Sequence, residues 1–179
     1  MFRGSIVALV TPWRDDRVDD AAVDRLVEWH VTNGTDVILP CGTTGESPAF
    51  THAEQHAMIE RVVRLADGRI PVIAGAGSNN TREAMSLAKA AEERGADGIL
   101  SVTPYYNKPT QEGLYQHYSR IGEACALPIV LYNVPGRTGC NLLPETCARI
   151  AETTRVAAVK EASGSLDQVQ RLLDLGLTV

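Results

Sequence analysis

Short apolar runs alternate with helical patterns along the whole chain, at intervals of roughly 30 residues. That rhythm limits the fold more than any other feature. A strand that leaves through a helix returns beside its predecessor in the same direction, so repeated strand–helix units build a parallel sheet. The first run, 5–10, closes on Thr11-Pro12, and a helix is expected over 20–32 with Val23, Leu26 and Val27 on one face and Gly34 beyond its end. A second strand at 37–39 leads into Pro40-Cys41-Gly42-Thr43-Thr44-Gly45-Glu46. Thr51-x-x-Glu54 then reads as a capping box for a helix that stops at Gly68. The third strand is expected at 70–74. Asn80-x-x-Glu83 opens the next helix with the capping-box pattern, Asn replacing Ser or Thr, and Gly95 ends it. A fourth strand covers 98–102 and a fifth 129–131. Pro144 suits the first position of a helix, and residues 156–159 form a sixth strand. Ser165-x-x-Gln168 caps a last helix ending at Gly176, and Leu177-Thr178-Val179 reads as the start of a seventh strand.

About six βα units and a stub match neither a complete dinucleotide-binding fold nor a closed barrel. Gly75-x-Gly77-x-x-Asn80 follows a strand and opens a helix, but it lacks the third glycine of the dinucleotide fingerprint, and no Gly-Lys-Ser/Thr phosphate loop occurs. The polar and aromatic residues gather after strands two, four, five and six, where a (β/α)8 barrel builds its site. The expected fold is therefore α/β, an incomplete TIM (β/α)8 barrel. On this reading 1–179 is the N-terminal part of one barrel domain, with no second domain. A complete barrel needs on the order of 250 residues. Without strands seven and eight, the first and sixth strands are expected to expose unpaired edges, an aggregation hazard. The net charge of −5 comes from interspersed acids and bases, so no basic stripe marks a nucleic-acid partner, and a small non-basic solute is the more natural ligand. No apolar run approaches transmembrane length, and the first residues lack signal-peptide or transit-peptide character, so no membrane association and a cytoplasmic location are expected. Cys41, Cys125, Cys140 and Cys147 include no Cys-x-x-Cys pair and no His spacing suited to zinc. Reduced thiols and no metal are expected.

The most pointed segment is 156–164. Four apolar residues suggest a strand buried on both faces, ending on Lys160, one of only three lysines against fourteen arginines. Poor hydration at such a strand end lowers a lysine pKa, and the neutral amine is the nucleophile that forms Schiff bases with carbonyl substrates. Other strand ends supply partners. Thr43 and Thr44 are flanked by glycines that allow backbone amides to approach an anion, and Tyr106, Tyr132 and Arg137 follow strands four and five. An arginine offers a bidentate fork for a carboxylate, and a tyrosine hydroxyl bonded to a threonine can pass protons near a carbonyl carbon. Each residue also has an ordinary reading. Lys160 could turn out to water, 42–46 could be a plain turn, Tyr105 and Tyr106 could pack or sit at an interface, Tyr132 could simply end a strand, and Arg137 could be a solvated charge. Their joint occurrence at successive strand ends favours a site that captures a keto acid on Lys160 and holds a carboxylate-bearing partner at Arg137.

Four motifs in order carry a resemblance: Gly42-Thr43-Thr44-Gly45-Glu46-Ser47, Thr103-Pro104-Tyr105-Tyr106-Asn107, Tyr132-Asn133-Val134-Pro135-Gly136-Arg137-Thr138-Gly139 and Val159-Lys160-Glu161-Ala162. Together with the opening segment 4–12, they closely resemble the 4-hydroxy-tetrahydrodipicolinate synthase (dihydrodipicolinate synthase) family within the Schiff-base class I aldolases. The resemblance runs the length of the chain. It implies a lyase of lysine and diaminopimelate biosynthesis that condenses pyruvate with L-aspartate 4-semialdehyde. Lys160 would form the Schiff base, Thr44 would hold the pyruvate carboxylate, and Arg137 would hold that of the semialdehyde. Tyr132, Thr43 and Tyr106 would form a proton relay, with Tyr106 reaching in from a neighbouring subunit of a homo-oligomer (a tetramer built as a dimer of dimers). No cofactor is implied. The same superfamily includes N-acetylneuraminate lyase and sugar-acid aldolases, which share the lysine and the strand-five tyrosine. Thr43-Thr44, Tyr106 and Arg137 lean towards the synthase. Ser47, His52, Gly77, Asn79, Glu83 and Tyr105 match positions lining a lysine-inhibitor pocket in the family. The chain departs from well-known enteric members at Gln55 (histidine there) and Pro48 (alanine there), and the capping positions of His52 and Glu83 already account for their polarity. A different class of reading also stands, a non-catalytic fragment that retains the motifs as a folding or association module.

Overall fold

Residues 2–179 are described by a computed structural model. They divide into two compact units, one formed by 2–75 with 90–98 and the other by 76–89 with 99–179.

The first unit begins with β1 (Ile6–Ala8), shorter than the apolar run 5–10. A two-stranded antiparallel hairpin, β2 (Trp13–Arg14) and β3 (Arg17–Val18), follows it and was not expected. Its loop, Asp15-Asp16, takes positive φ at both residues (51° and 59°), the geometry whose twist suits a two-residue hairpin. Helix α1 (Asp20–Thr32) has the expected bounds, with the Asp19 carboxylate accepting from the Ala22 amide. Strand β4 (Val37–Leu39) is fully buried and runs parallel to β1, Ile6 opposite Val37. The capping box of α2 (His52–Ala66) forms in both directions between Thr51 and Glu54. Strand β5 (Ile73–Gly75) starts three residues later than expected, because Pro71 cannot donate to a ladder. A single bridge, Ile38 to Val72, joins that segment to β4. Val23, Val27, Ile38, Ile59, Val62 and Ile73 fill the core of this unit.

Helix α3 (Thr81–Glu93) begins one residue after Asn80 and links the two units along the chain. In the second unit, strands β6 (Gly98–Val102), β7 (Ile129–Asn133) and β8 (Val156–Glu161) pair in parallel, in that order. Helix α4 (Gln111–Ala124), capped by Thr110, separates β6 from β7. Four-residue α5 (Pro135–Thr138) and α6 (Pro144–Thr153) separate β7 from β8, with prolines in the first turns. Helix α7 (Leu166–Asp174) is capped by Ser165 and stops at Gly176, where φ is +78°.

Strand β8 departs from its expected burial. Only Val159 is buried, while Val156, Ala157 and Ala158 are half-buried, so the segment is not covered on both faces. Residues 177–179 are not a strand, yet the Val159 amide donates to the Thr178 carbonyl at 2.8 Å, a first ladder contact along the outer edge of β8.

Candidate active site

Strand β7 was expected to end at Leu131 but extends two residues further, placing Tyr132 inside the ladder directly opposite Lys160 of β8. Paired residues on adjacent strands share a face. The Lys160 Nζ accordingly sits over the Tyr132 ring, 4.4 Å from its centroid. The Lys160 side chain is exposed overall, but its ammonium group is partly desolvated, and this lowers the pKa below the ordinary value. The Arg137 guanidinium charge pushes in the same direction. Arg137 belongs to α5 rather than to an open loop, its amide donating to the Val134 carbonyl at 2.9 Å. Lys160, Tyr132 and Arg137 thus form one electrostatic group within the second unit. It can supply a neutral amine, an aromatic hydroxyl and a fixed positive charge.

Tyr106 also lies in this unit. It is 90% exposed, adopts φ +71°, and is held by its amide donating to Thr138, one residue after Arg137. A non-glycine residue at positive φ carries strain that surrounding structure must offset, and here the α5 end does so. Lys108 adds to this, its Cε lying where a Cβ on Gly139 would sit 3.0 Å away.

Thr43 and Thr44 lie in the first unit, in a 3-10 turn spanning Thr43–Gly45, and both are exposed. Two features force the backbone into place. The Thr11 hydroxyl donates to the Gly45 carbonyl at 2.7 Å, and a Cβ on Gly45 would lie 2.7 Å from the Leu9 carbonyl oxygen, so only glycine fits. The amides of Gly45, Glu46 and Ser47 are engaged within the loop by the Gly42 and Thr43 carbonyls.

Of the second set, Ser47 and His52 belong to the first unit. Ser47 opens a further 3-10 turn, and the His52 ring stacks on His56 with centroids 6.4 Å apart. Gly77, Asn79, Glu83 and Tyr105 belong to the second. The Asn79 amide donates to the Tyr105 carbonyl at 3.1 Å, and Asn107 donates to the Asn79 carbonyl at 3.1 Å, so Asn79 and Tyr105 are stitched together. A Cβ on Gly77 would meet Val102 at 2.7 Å. Glu83 accepts from the Ser78 hydroxyl, while Asn80 accepts from the Arg82 amide. Gln55, where the chain departs from enteric sequences, is buried and clamps the Gly75 carbonyl through Nε2 at 2.9 Å.

Residue-by-residue reading of the sequence missed a polar cluster behind Tyr132 and Lys160, formed by Asn133, Asn141, Glu161 and Gln168. The signal was available: an amide and a carboxylate directly follow the two motif residues on paired strands. Among the described residues, no group of three or more His, Cys, Asp or Glu side chains could hold a metal ion. Burial pushes the Cys41 and Cys147 thiols up to about 12, so neither is a ready nucleophile. No described helix is long and apolar enough to cross a membrane.

Comparison with known proteins identifies the family. The model of the Dihydrodipicolinate synthetase family matches residues 1–176. The 4-hydroxy-tetrahydrodipicolinate synthase of Geotalea daltonii is 58% identical over 175 residues, covering 98% of this chain and 60% of that protein. A crystal structure of dihydrodipicolinate synthase superposes with a TM-score of 0.98 at 48% identity, covering 99% of this chain and 62% of that one. The Acinetobacter baumannii enzyme complexed with pyruvate gives a TM-score of 0.94 at 51% identity, covering 97% of this chain and 60% of that one. The chain thus spans about 60% of the length of the curated relatives it matches, and its βα units are those of an incomplete (β/α)8 barrel. A family match along nearly the whole sequence, with the lysine and tyrosine motifs meeting on adjacent strands, makes this chain a member of the dihydrodipicolinate synthetase family.

Proposed function

We propose that the chain carries the Schiff-base machinery of a 4-hydroxy-tetrahydrodipicolinate synthase and represents, over 1–179, the N-terminal part of a single (β/α)8-barrel domain. The observation that carries this reading is the seating of the Lys160 amine on the Tyr132 ring, with the protonated form disfavoured. The neutral Nζ attacks the C2 carbonyl of pyruvate, and water leaves as the imine forms. Loss of a methyl proton gives an enamine, whose C3 forms a bond to the aldehyde carbon of L-aspartate 4-semialdehyde. The amino group of the semialdehyde then displaces Lys160 from the imine carbon and closes the ring. The protonated lysine imine is the electron sink for loss of the methyl proton, and the enamine is the electron donor towards the aldehyde, whose oxygen takes up a proton, so the chemistry as written draws on no organic cofactor.

Tyr132, whose ring lies under this amine, takes the role of proton transfer and orientation of the imine. Thr43 and Tyr106 as the remaining relay members, Thr44 as the pyruvate carboxylate site and Arg137 as the semialdehyde carboxylate site enter on the family resemblance. The exposure and backbone strain of Tyr106 support a ring presented to a neighbouring subunit of a homo-oligomer. The linkage of Asn79 to Tyr105 supports those two residues acting together, and the lysine-effector pocket of Ser47, His52, Gly77, Asn79, Glu83 and Tyr105 enters on the family resemblance. The exposure of Lys160 and of Leu166 (82%) favours a second reading, in which this chain alone keeps the motifs without turnover.

The test is product formation from pyruvate and L-aspartate 4-semialdehyde, with N-acetylneuraminate cleavage run in parallel. The synthase reading expects condensation that is absent in Lys160→Ala and slowed at least about 10²-fold in Tyr132→Phe. Cleavage of N-acetylneuraminate without condensation would overturn it in favour of the lyase.

A further inference from the structure

The pairing of β7 with β8 contains an irregularity that bears on the Schiff-base lysine. The ladder starts with Ile129 opposite Val156 and continues with Val130 opposite Ala158, so Ala157 is an extra residue, a β-bulge. Beyond the bulge Tyr132 faces Lys160 and Asn133 faces Glu161. Without it, Val159 would face Tyr132 and Lys160 would face Asn133. Because side chains alternate along a strand, a one-residue slip carries the amine to the other face. The seating of Lys160 against Tyr132 therefore depends on what fixes the register after the bulge.

The cluster at the ends of the two strands has the geometry to do so. Asn133, wholly buried, donates through Nδ2 to Glu161 Oε2 at 2.9 Å and to Asn141 Oδ1 at 2.8 Å, while its Oδ1 accepts from the Leu142 amide at 2.9 Å. Gln168 of α7 donates through Nε2 to the same Glu161 oxygen at 2.8 Å and to Asn141 at 3.2 Å, and accepts from Asn141 Nδ2 at 2.9 Å. The other Glu161 oxygen accepts from the Ser163 amide at 2.6 Å, and the Asn133 carbonyl accepts from the Ala162 amide at 2.8 Å. Burial pushes the Glu161 pKa up, but the bonds from Asn133, Ser163 and Gln168 outweigh it and hold the carboxyl below its ordinary range. These donors suit a carboxylate. In the slipped register they would face the Lys160 ammonium, itself a donor only.

We propose that Asn133, Asn141, Glu161 and Gln168 form a register lock that seats Lys160 beside Tyr132 and keeps the adjacent Glu161 carboxylate turned away from the amine. The lock rests on the reading of Lys160 as the Schiff-base residue, and its members are positioning residues that touch no substrate. Asn141 extends the same restraint to the segment following α5, which carries Arg137.

The test labels the folded 179-residue chain with an amine-acylating reagent across pH, reading Lys160 by peptide mass spectrometry, with borohydride trapping of pyruvate measured in parallel. In Glu161→Ala the labelling midpoint of Lys160 rises towards the ordinary lysine range, and trapping at neutral pH falls about 10²-fold. Gln168→Ala, which removes one donor, moves both readouts less in the same direction and decides the matter if Glu161→Ala does not fold. A purely structural role would lower thermal stability and leave the labelling midpoint in place. Wild-type midpoints in the folded variants would overturn the lock. A wild-type chain that traps no pyruvate while the variants shift their labelling would sink the Schiff-base reading and leave the lock standing.

Discussion

At Lys160 two ordinary effects act in one direction: partial desolvation by burial and the positive charge of Arg137 both disfavour the ammonium form. A lysine whose folded pKa is depressed binds fewer protons in the native than in the unfolded chain between its folded value and 10.5, so native stability rises with pH across that window. Lys160→Met should flatten that rise in denaturant-melt series, and Lys160 should acylate at lower pH in the folded chain than in urea. His117 provides a second titration. It is buried, shares a hydrogen bond with the Thr81 hydroxyl at Nδ1, and burial lowers its pKa to about 4. The unfolded chain takes up its proton near 6.5 and the native chain near 4, so stability is lost as pH falls through that interval, by about 3 kcal/mol or less. Melting temperatures of wild type and His117→Gln should converge as pH falls from 7 towards 4, and parallel curves would show that His117 is not the group titrating.

Elements carry their own predictions. Thr51→Ala removes one half of a complete capping box and should cost about 1 kcal/mol, read as a shift in denaturant midpoint. Gly75→Ala should cost more, about 1–3 kcal/mol, because the new Cβ would lie 2.0 Å from the Cys41 carbonyl oxygen and its neighbour Gln55 clamps the same turn. Equal melts for Gly75→Ala and wild type would mean that β5 and the 40–42 segment can separate. These elements also show what the sequence makes legible. Helix α1, strand β4 and strand β6 have the bounds that their periodicity and end signals predict, because local chemistry alone decides them. The hairpin at Asp15-Asp16 hides because two aspartates are weaker turn signals than Asn-Gly. Helix α4 has a plain Thr110 cap but contributes no motif, so nothing in the functional reading marks its bounds. The pairing of Tyr132 with Lys160 is invisible in either strand alone, since register depends on a bulge at Ala157 and on side chains from α7. Motif residues were readable from their types at successive strand ends; within the amide–carboxylate cluster, Asn133 and Glu161 carried a signal because they directly follow Tyr132 and Lys160, whereas Asn141 and Gln168 are ordinary polar residues until the strands meet.

Across the whole molecule, the six βα units place the recognised motifs on two units that are each well packed, with residues such as Ile38, Ile59, Ile129 and Ile150 at most 1% exposed. Large apolar side chains nonetheless remain at the surface, among them Leu166, Leu173 and Val179. Leu166→Gln should change the unfolding free energy by no more than about 0.5 kcal/mol, the range of neutral surface substitutions, while reducing light scattering at high concentration. Lys160 is proposed as an amine nucleophile poised for a keto acid. Borohydride reduction of the chain in the presence of pyruvate, followed by peptide mass spectrometry, tests it directly. The expected result is a reduced pyruvate adduct on the peptide bearing Lys160 and none on Lys89 or Lys108, with the signal gone in Lys160→Ala. An adduct spread over all three lysines, or none on a chain shown to be folded, would contradict it.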